Sequence, residues 1–200
     1  MKLQFKHQKF QADAANAVCD VFTGQPLQSA LLQTHDIDRG FGQTTLTDAR
    51  DFMGFGNARI SPELNEGIIL EHIQKIQRTG LIEPSKRLEG RYNLTVEMET
   101  GVGKTYTYIK TMYELNERYG WRKFIIVVPS VAIREGVYKS FQISEEHFKD
   151  IYGKTIRYFI YNSAQLTEID RFASDSNINA MIINSQAFNA RGKDARRIYI

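Results

Sequence analysis

The run Thr95-Val96-Glu97-Met98-Glu99-Thr100-Gly101-Val102-Gly103-Lys104-Thr105 restricts the fold of this chain more than any other stretch. A short β-prone segment leads into a Gly-rich turn, then Lys-Thr, then a helical pattern beginning at Tyr106. That order predicts a phosphate-binding loop. Gly101 and Gly103 let the backbone curl so that several N–H groups point at one polyphosphate, and the following helix N-terminus adds partial positive charge there. Glu99, Thr100, Gly101, Val102, Gly103 and Tyr106 then border the nucleotide. Lys104 lies along the β- and γ-phosphates, and the Thr105 hydroxyl is a Mg²⁺ ligand. The pattern points to ATP or GTP and is silent about what the energy drives. The chain has no Asn-Lys-x-Asp run of the guanine-selecting kind, so ATP is the better fit.

Composition sets wider bounds. At 200 residues the chain can form one well-packed α/β domain and is short for two. Its 42% hydrophobic and 24% charged content is that of a globular protein, and the net charge of +3 does not by itself demand a nucleic-acid partner. The basic excess is local: residues 1–90 carry 10 Lys+Arg against 11 Asp+Glu, and residues 91–200 carry 16 against 12. Part of it clusters at Arg191, Lys193, Arg196 and Arg197, most simply a solvated tail. Cys19 is the single cysteine, which excludes an intrachain disulfide and suits a reducing compartment; its place on an apolar helical side predicts a buried, structural thiol. Met1–His7 lacks the apolar core of a signal peptide, and the longest aliphatic run, Ile125–Val128, is far below a membrane span. A cytoplasmic protein with no membrane partner is expected.

Residues 8–22 read as an amphipathic helix with Ala14, Ala15, Val18, Cys19, Val21 and Phe22 on its apolar side, ended by Gly24 and Pro26. From Thr34 to Asn57 the chain is rich in Asp, Gly and Thr without a period, which predicts a long insertion. Ser61 as N-cap, Pro62 at the first helical position and Glu63 in the first turn mark the next helix, whose apolar face is Leu64, Ile68, Ile69, Ile73 and Ile76. His72, near that face, has no partner at metal-ligand spacing and is read as a packing residue. The helix after Thr105 is expected to bury Ile109, Met112 and Leu115. Phe124–Val128 is an unbroken apolar run, predicting a strand covered on both faces, followed by a helix through Ala132, Ile133, Val137 and Phe141. Ile156–Tyr161 and Met181–Asn184 are further strand candidates. The alternation predicts an α/β fold, a parallel sheet with helices on both faces. Residues 1–90 form an N-terminal helical segment in this reading, and residues 91–200 begin the sheet domain.

Ligands of open parallel sheets gather at the carboxyl ends of the strands. Beyond the phosphate loop, two such ends carry polar or basic residues: Ser130 and Arg134 after one strand, Ser185 and Gln186 after another. They suit phosphate contacts along a nucleic-acid strand, positioning it without reading sequence. An ordinary strand-to-helix cap is the alternative for each, and the favoured one for Ser130.

The signature Thr100-Gly101-Val102-Gly103-Lys104-Thr105, with Met98 in place of the usual first glycine, resembles nucleic-acid motors of helicase superfamily 2. There an aromatic-Gln pair upstream of the loop reads adenine, which implies that role for Phe10 and Gln11. The resemblance narrows further. Val96–Tyr106, Tyr113–Gly120 and Phe124–Val137 resemble motifs I and Ia of the restriction (Res) subunits of type III restriction–modification systems, and Met181–Asn189 is similar to their motif Ib region. This implies a RecA-like motor domain and a partnership with a DNA-methyltransferase (Mod) subunit. It also implies ATP- and Mg²⁺-driven movement or signalling on double-stranded DNA, with cleavage in the intact complex. A type I restriction translocase, a DNA-repair helicase or a non-hydrolysing ATP-binding module are the alternatives. The family's Asp-Glu box, which holds Mg²⁺ and orients water, has no counterpart: the 200 residues contain no Asp-Glu pair. The resemblance thus implies an amino-terminal part of a larger subunit, incomplete at the C-terminal side of the sheet, with unpaired strand edges.

Overall fold

The structure is a computed structural model that describes residues 5–27, 34–35, 54–90 and 92–188. The chain forms two compact units, one from residues 1–34 and 56–121 and the other from residues 35–55 and 122–200.

The first unit is helical. Helix α1 (Lys9–Asp20) buries Gln11, Ala15 and Cys19, a stripe at four-residue spacing that places all three on one helix face. Strands β1 (Thr34–His35) and β2 (Gly54–Phe55), which apart from Thr34 belong to the second unit, pair with each other at the two ends of the expected insertion. Residues 36–53, like Arg191, Lys193, Arg196 and Arg197, lie outside the described residues. Helix α2 (Glu66–Thr79) starts later than the sequence suggested. Asn65, not Ser61, is its N-cap, accepting from the amides of Gly67 at 3.0 Å and Ile68 at 3.2 Å. Pro62 instead sits in a preceding turn closed by Leu64 N–H donating to Ser61 O at 2.9 Å. The Ser61 amide is itself held by Gln25 Oε1 at 2.8 Å, which leaves it bound outside the helix.

Helix α3 (Lys104–Tyr119) packs along α1. It buries Ile109, Met112, Tyr113 and Tyr119, with Thr107, Thr111 and Asn116 among them; Leu115, expected in that stripe, is only half-buried. Burying an aliphatic side chain of this size stabilises by about 1.5–3 kcal/mol, so the α1–α3 seam carries much of this unit. Arg118 reinforces its far end, donating to Asp20 Oδ1 at 2.7 Å and Asn16 Oδ1 at 2.5 Å. Below it the Phe22 and Trp121 rings meet edge-on, 5.0 Å between centroids. Burial pushes the Cys19 thiol up to about 12, as expected of an inert structural cysteine. His72 Nδ1 lies 2.9 Å from Val21 O, a packing contact between α2 and the end of α1.

The second unit is an α/β layer. Strands β3 (Lys123–Val128), β4 (Arg157–Ile160) and β5 (Asn179–Asn184) form a parallel sheet in the order β3-β5-β4. Helix α4 (Val131–Tyr152) packs on all three strands and α5 (Leu166–Ser174) on β5; a short α6 (Ser185–Phe188) follows β5. The central strand β5 buries Asn179 through Ile183, which is the double coverage that its apolar run requires. Strand β3 does not match its expectation. Among the described residues it is an edge strand, and Ile125 and Val127, on one side of the pleat, are 40% and 53% exposed. A second correction concerns the run before the phosphate loop. Residues 93–99 pair in no ladder among the described residues, and a strand exists only through its ladder.

Candidate nucleotide site

The phosphate-loop candidate is built at the start of α3, inside the first unit. Two glycines take backbone conformations that other residues adopt at a cost: Gly101 has φ 83° and Gly103, the N-cap of α3, has φ 87° and ψ 40°. Between them the chain turns through Val102, and α3 begins at once, with no side-chain cap and no acidic residue in its first turn. The first carbonyl of the helix is engaged twice, Gly103 O accepting from Thr107 N–H at 3.0 Å and from Thr107 Oγ1 at 3.2 Å. Residues 100 and 101 form a turn that directs the Val102 N–H back toward Glu99 O, and the amides of Gly101, Gly103, Lys104 and Thr105 donate no backbone hydrogen bond among the described residues. The consecutive N–H groups of Gly103, Lys104 and Thr105, without a backbone acceptor at the positive end of a 16-residue helix, are ones that an anion would satisfy.

Lys104 is exposed and bends back over the turn, its Nζ donating to Glu99 O at 2.8 Å. The ammonium thus lies across the mouth of the loop, held by a single neutral carbonyl that a phosphate oxygen could outcompete. Thr105 and Tyr106 are half-buried. The Tyr106 ring stacks on Phe5, 5.7 Å between centroids and 24° between planes. Burial raises the phenols of Tyr106 and Tyr108, so both stay neutral beside the loop. Among the described residues no group of three His, Cys, Asp or Glu could hold a metal ion.

Gln11 reaches this loop from α1. Its side chain is buried and Nε2 donates to Val102 O at 2.8 Å. Phe10, its neighbour, is 46% exposed. Sequence reading had paired Phe10 with Gln11; the aromatic that the structure brings against the loop helix is Phe5, six residues before Gln11. An aromatic at the chain's start was the one signal available for it.

The other four candidates lie in the second unit. Val128 of β3 pairs with Asn184 of β5, so Ser130 and Ser185 follow adjacent strand ends on one rim of the parallel sheet. Ser130 is the N-cap of α4, its Oγ accepting from Ile133 N–H at 3.3 Å. Arg134 donates to Glu135 Oε1 at 2.9 Å. Ser185 opens α6, and Gln186 beside it is exposed.

Residues 59–198 match the family model described as "Type III restriction enzyme, res subunit", a span that holds the phosphate loop, all three strands of the parallel sheet and the four rim candidates. The chain belongs to the type III restriction enzyme Res subunit family. It is 39% identical over 110 residues to the EcoPI Res subunit of Escherichia phage P1, covering 52% of this chain and 11% of that protein. It is 32% identical over 148 residues to the EcoP15I Res subunit of Escherichia coli, covering 64% and 15%, and 45% identical over 73 residues to the StyLTI Res subunit of Salmonella typhimurium, covering 35% and 7%. The matched part is thus a small fraction of each Res subunit's length. No described helix is long and apolar enough to cross a membrane.

Proposed function

We propose that this chain is the ATP-binding part of a type III restriction motor, with the turn Glu99–Thr105 as its phosphate cradle. The observation that carries the reading is the turn between the left-handed Gly101 and Gly103, which sets the first amides of α3 at its mouth with Lys104 folded back over them. A triphosphate fits that donor set. The N–H groups would hold the β-phosphate, Lys104 would leave Glu99 O for the β/γ oxygens, and Thr105 would ligate Mg²⁺. Gln11 would read the adenine edge, with Phe10 and Tyr106 bordering the base. Bound ATP supplies a phosphoryl group whose transfer depends on positioning and on neutralised charge, and these residues contribute both.

In this reading residues 91–200 open a RecA-like motor domain and residues 1–90 bring the adenine-reading element to it. Ser130, Arg134, Ser185 and Gln186 would touch the phosphates of double-stranded DNA. A Mod methyltransferase would be the partner, in the cytoplasm, with cleavage a property of the whole complex. Family membership supports this assignment over a type I translocase or a repair helicase. Residues 1–200 contain no Asp-Glu pair to orient water, so by themselves they are expected to bind ATP with turnover near background. The test is binding of ATP and GTP with and without Mg²⁺, in wild type and Lys104→Ala. ATP should be preferred, strengthened by Mg²⁺ and lost in the variant. Equal binding of both nucleotides by both proteins would refute the site.

A further inference from the structure

Gln11 does something in this structure that base recognition does not require. It is 9% exposed, and its amide nitrogen is committed to the carbonyl of Val102, the residue between the two left-handed glycines. The approach is close enough to constrain the next residue as well. A Cβ on Gly103 would stand 2.5 Å from Gln11 Nε2, so glycine is needed there both for its φ of 87° and to admit this amide. The side chain is fixed from behind. Ala15 and Cys19, one and two turns further along the same face of α1, have no exposed surface, and Arg118 ties the end of α3 to Asp20 and Asn16. The Val102 carbonyl therefore meets a donor whose position is set by a helix seam, not by the loop.

We infer that Gln11 is a positioning residue for the phosphate loop: it holds Val102 O turned toward α1, so that the neighbouring amides stay turned toward the anion. The inference rests on the nucleotide-site reading and deepens it. A carboxamide carries two N–H groups and one carbonyl oxygen. With one N–H on Val102 O, the second N–H and Oε1 remain for the N7 and N6 edge of adenine. One side chain would thus join base and phosphate loop, and losing it would weaken even a ligand that has no base.

Inorganic tripolyphosphate with Mg²⁺ is the probe, since it offers the phosphates of ATP without adenine. Its affinity and that of MgATP are measured for wild type, Gln11→Ala and Gln11→Met. Methionine keeps the length and packing of the side chain against α3 while removing the donor, and thermal melts check that both variants fold. We expect tripolyphosphate to bind about fivefold more weakly to both variants, the size of one buried hydrogen bond, and MgATP to lose more than that. Unchanged tripolyphosphate affinity with weakened ATP would overturn the inference and leave Gln11 a reader of adenine alone. A wild type that binds neither ligand would sink the nucleotide site itself.

Discussion

The phosphate loop and the rim of the parallel sheet hold similar residue types, yet the structure treats them in opposite ways. On the rim, local structure already satisfies the polar groups: Ser130 caps α4 and Arg134 pairs with Glu135. At the loop, the amides of Gly103, Lys104 and Thr105 have no backbone acceptor among the described residues, two backbone positions sit at positive φ, and a lysine donates to a neutral carbonyl. Satisfied groups explain themselves through stability. Amides without a backbone acceptor and left-handed backbone positions are not explained that way, and the proposed nucleotide site rests on them.

The contrast can be broken by substitution. Lys104→Ala should have the largest effect on ATP binding, about 2 kcal/mol for a hydrogen bond to a charged group, while Arg134→Ala should leave ATP affinity unchanged. Equal losses from the two, in a titration of either nucleotide affinity, would erase the distinction. Gly103→Ala should cost about 1–2 kcal/mol in the backbone and also displace the Gln11 amide, so thermal midpoint and ATP affinity should fall together. Gly136→Ala is the counterpart within α4. It is exposed, has ordinary helical φ and open space around it, so alanine should stabilise by about 1 kcal/mol without touching nucleotide binding. Ser130→Ala should cost about 1 kcal/mol through the lost cap, again with ATP affinity intact.

The smallest effect concerns acid. Arg157 donates to Asp175 Oδ2 at 2.7 Å. Burial works against the Asp175 carboxylate, but the hydrogen bonds from Arg157, Asn177 and Asn179 prevail and bring its pKa down to about 2 from 3.8. A depressed folded-state pKa means that its stabilisation is complete above the unfolded value near 4 and is lost as pH falls toward 2. Asp175→Asn should therefore lower stability at neutral pH and flatten its dependence across that window, as followed by denaturant melts. An unaltered profile would show that the pair contributes nothing to this sheet.

The Gly-rich turn at a helix start, on which the proposed phosphate loop rests, was legible because Gly101, Gly103, Lys104 and Thr105 fall within one short run of sequence. The contact between Gln11 and Val102 was not, since the two are 91 residues apart and only the packing of α1 on α3 brings them together. Alternation of strands and helices was readable down to β4 and β5. Helix α5 was passed over; its N-cap, Gln165, makes no side-chain capping bond, so no start signal marked it. The apolar run at β3 was taken for a doubly covered strand because hydrophobicity reports what a strand prefers to bury, not which neighbours it has. The same limit applied to Thr95–Met98, whose β-prone residues specify extended backbone but cannot supply the partner ladder.

The central claim is that the turn from Gly101 to Thr105 wraps its amides around phosphate. Amide NMR of the protein titrated with Mg²⁺ and ADP tests it directly. The account predicts that the N–H resonances of Gly101, Val102, Gly103, Lys104 and Thr105 shift furthest and become protected from exchange with solvent. Resonances in that turn that stay in place while others move would contradict it.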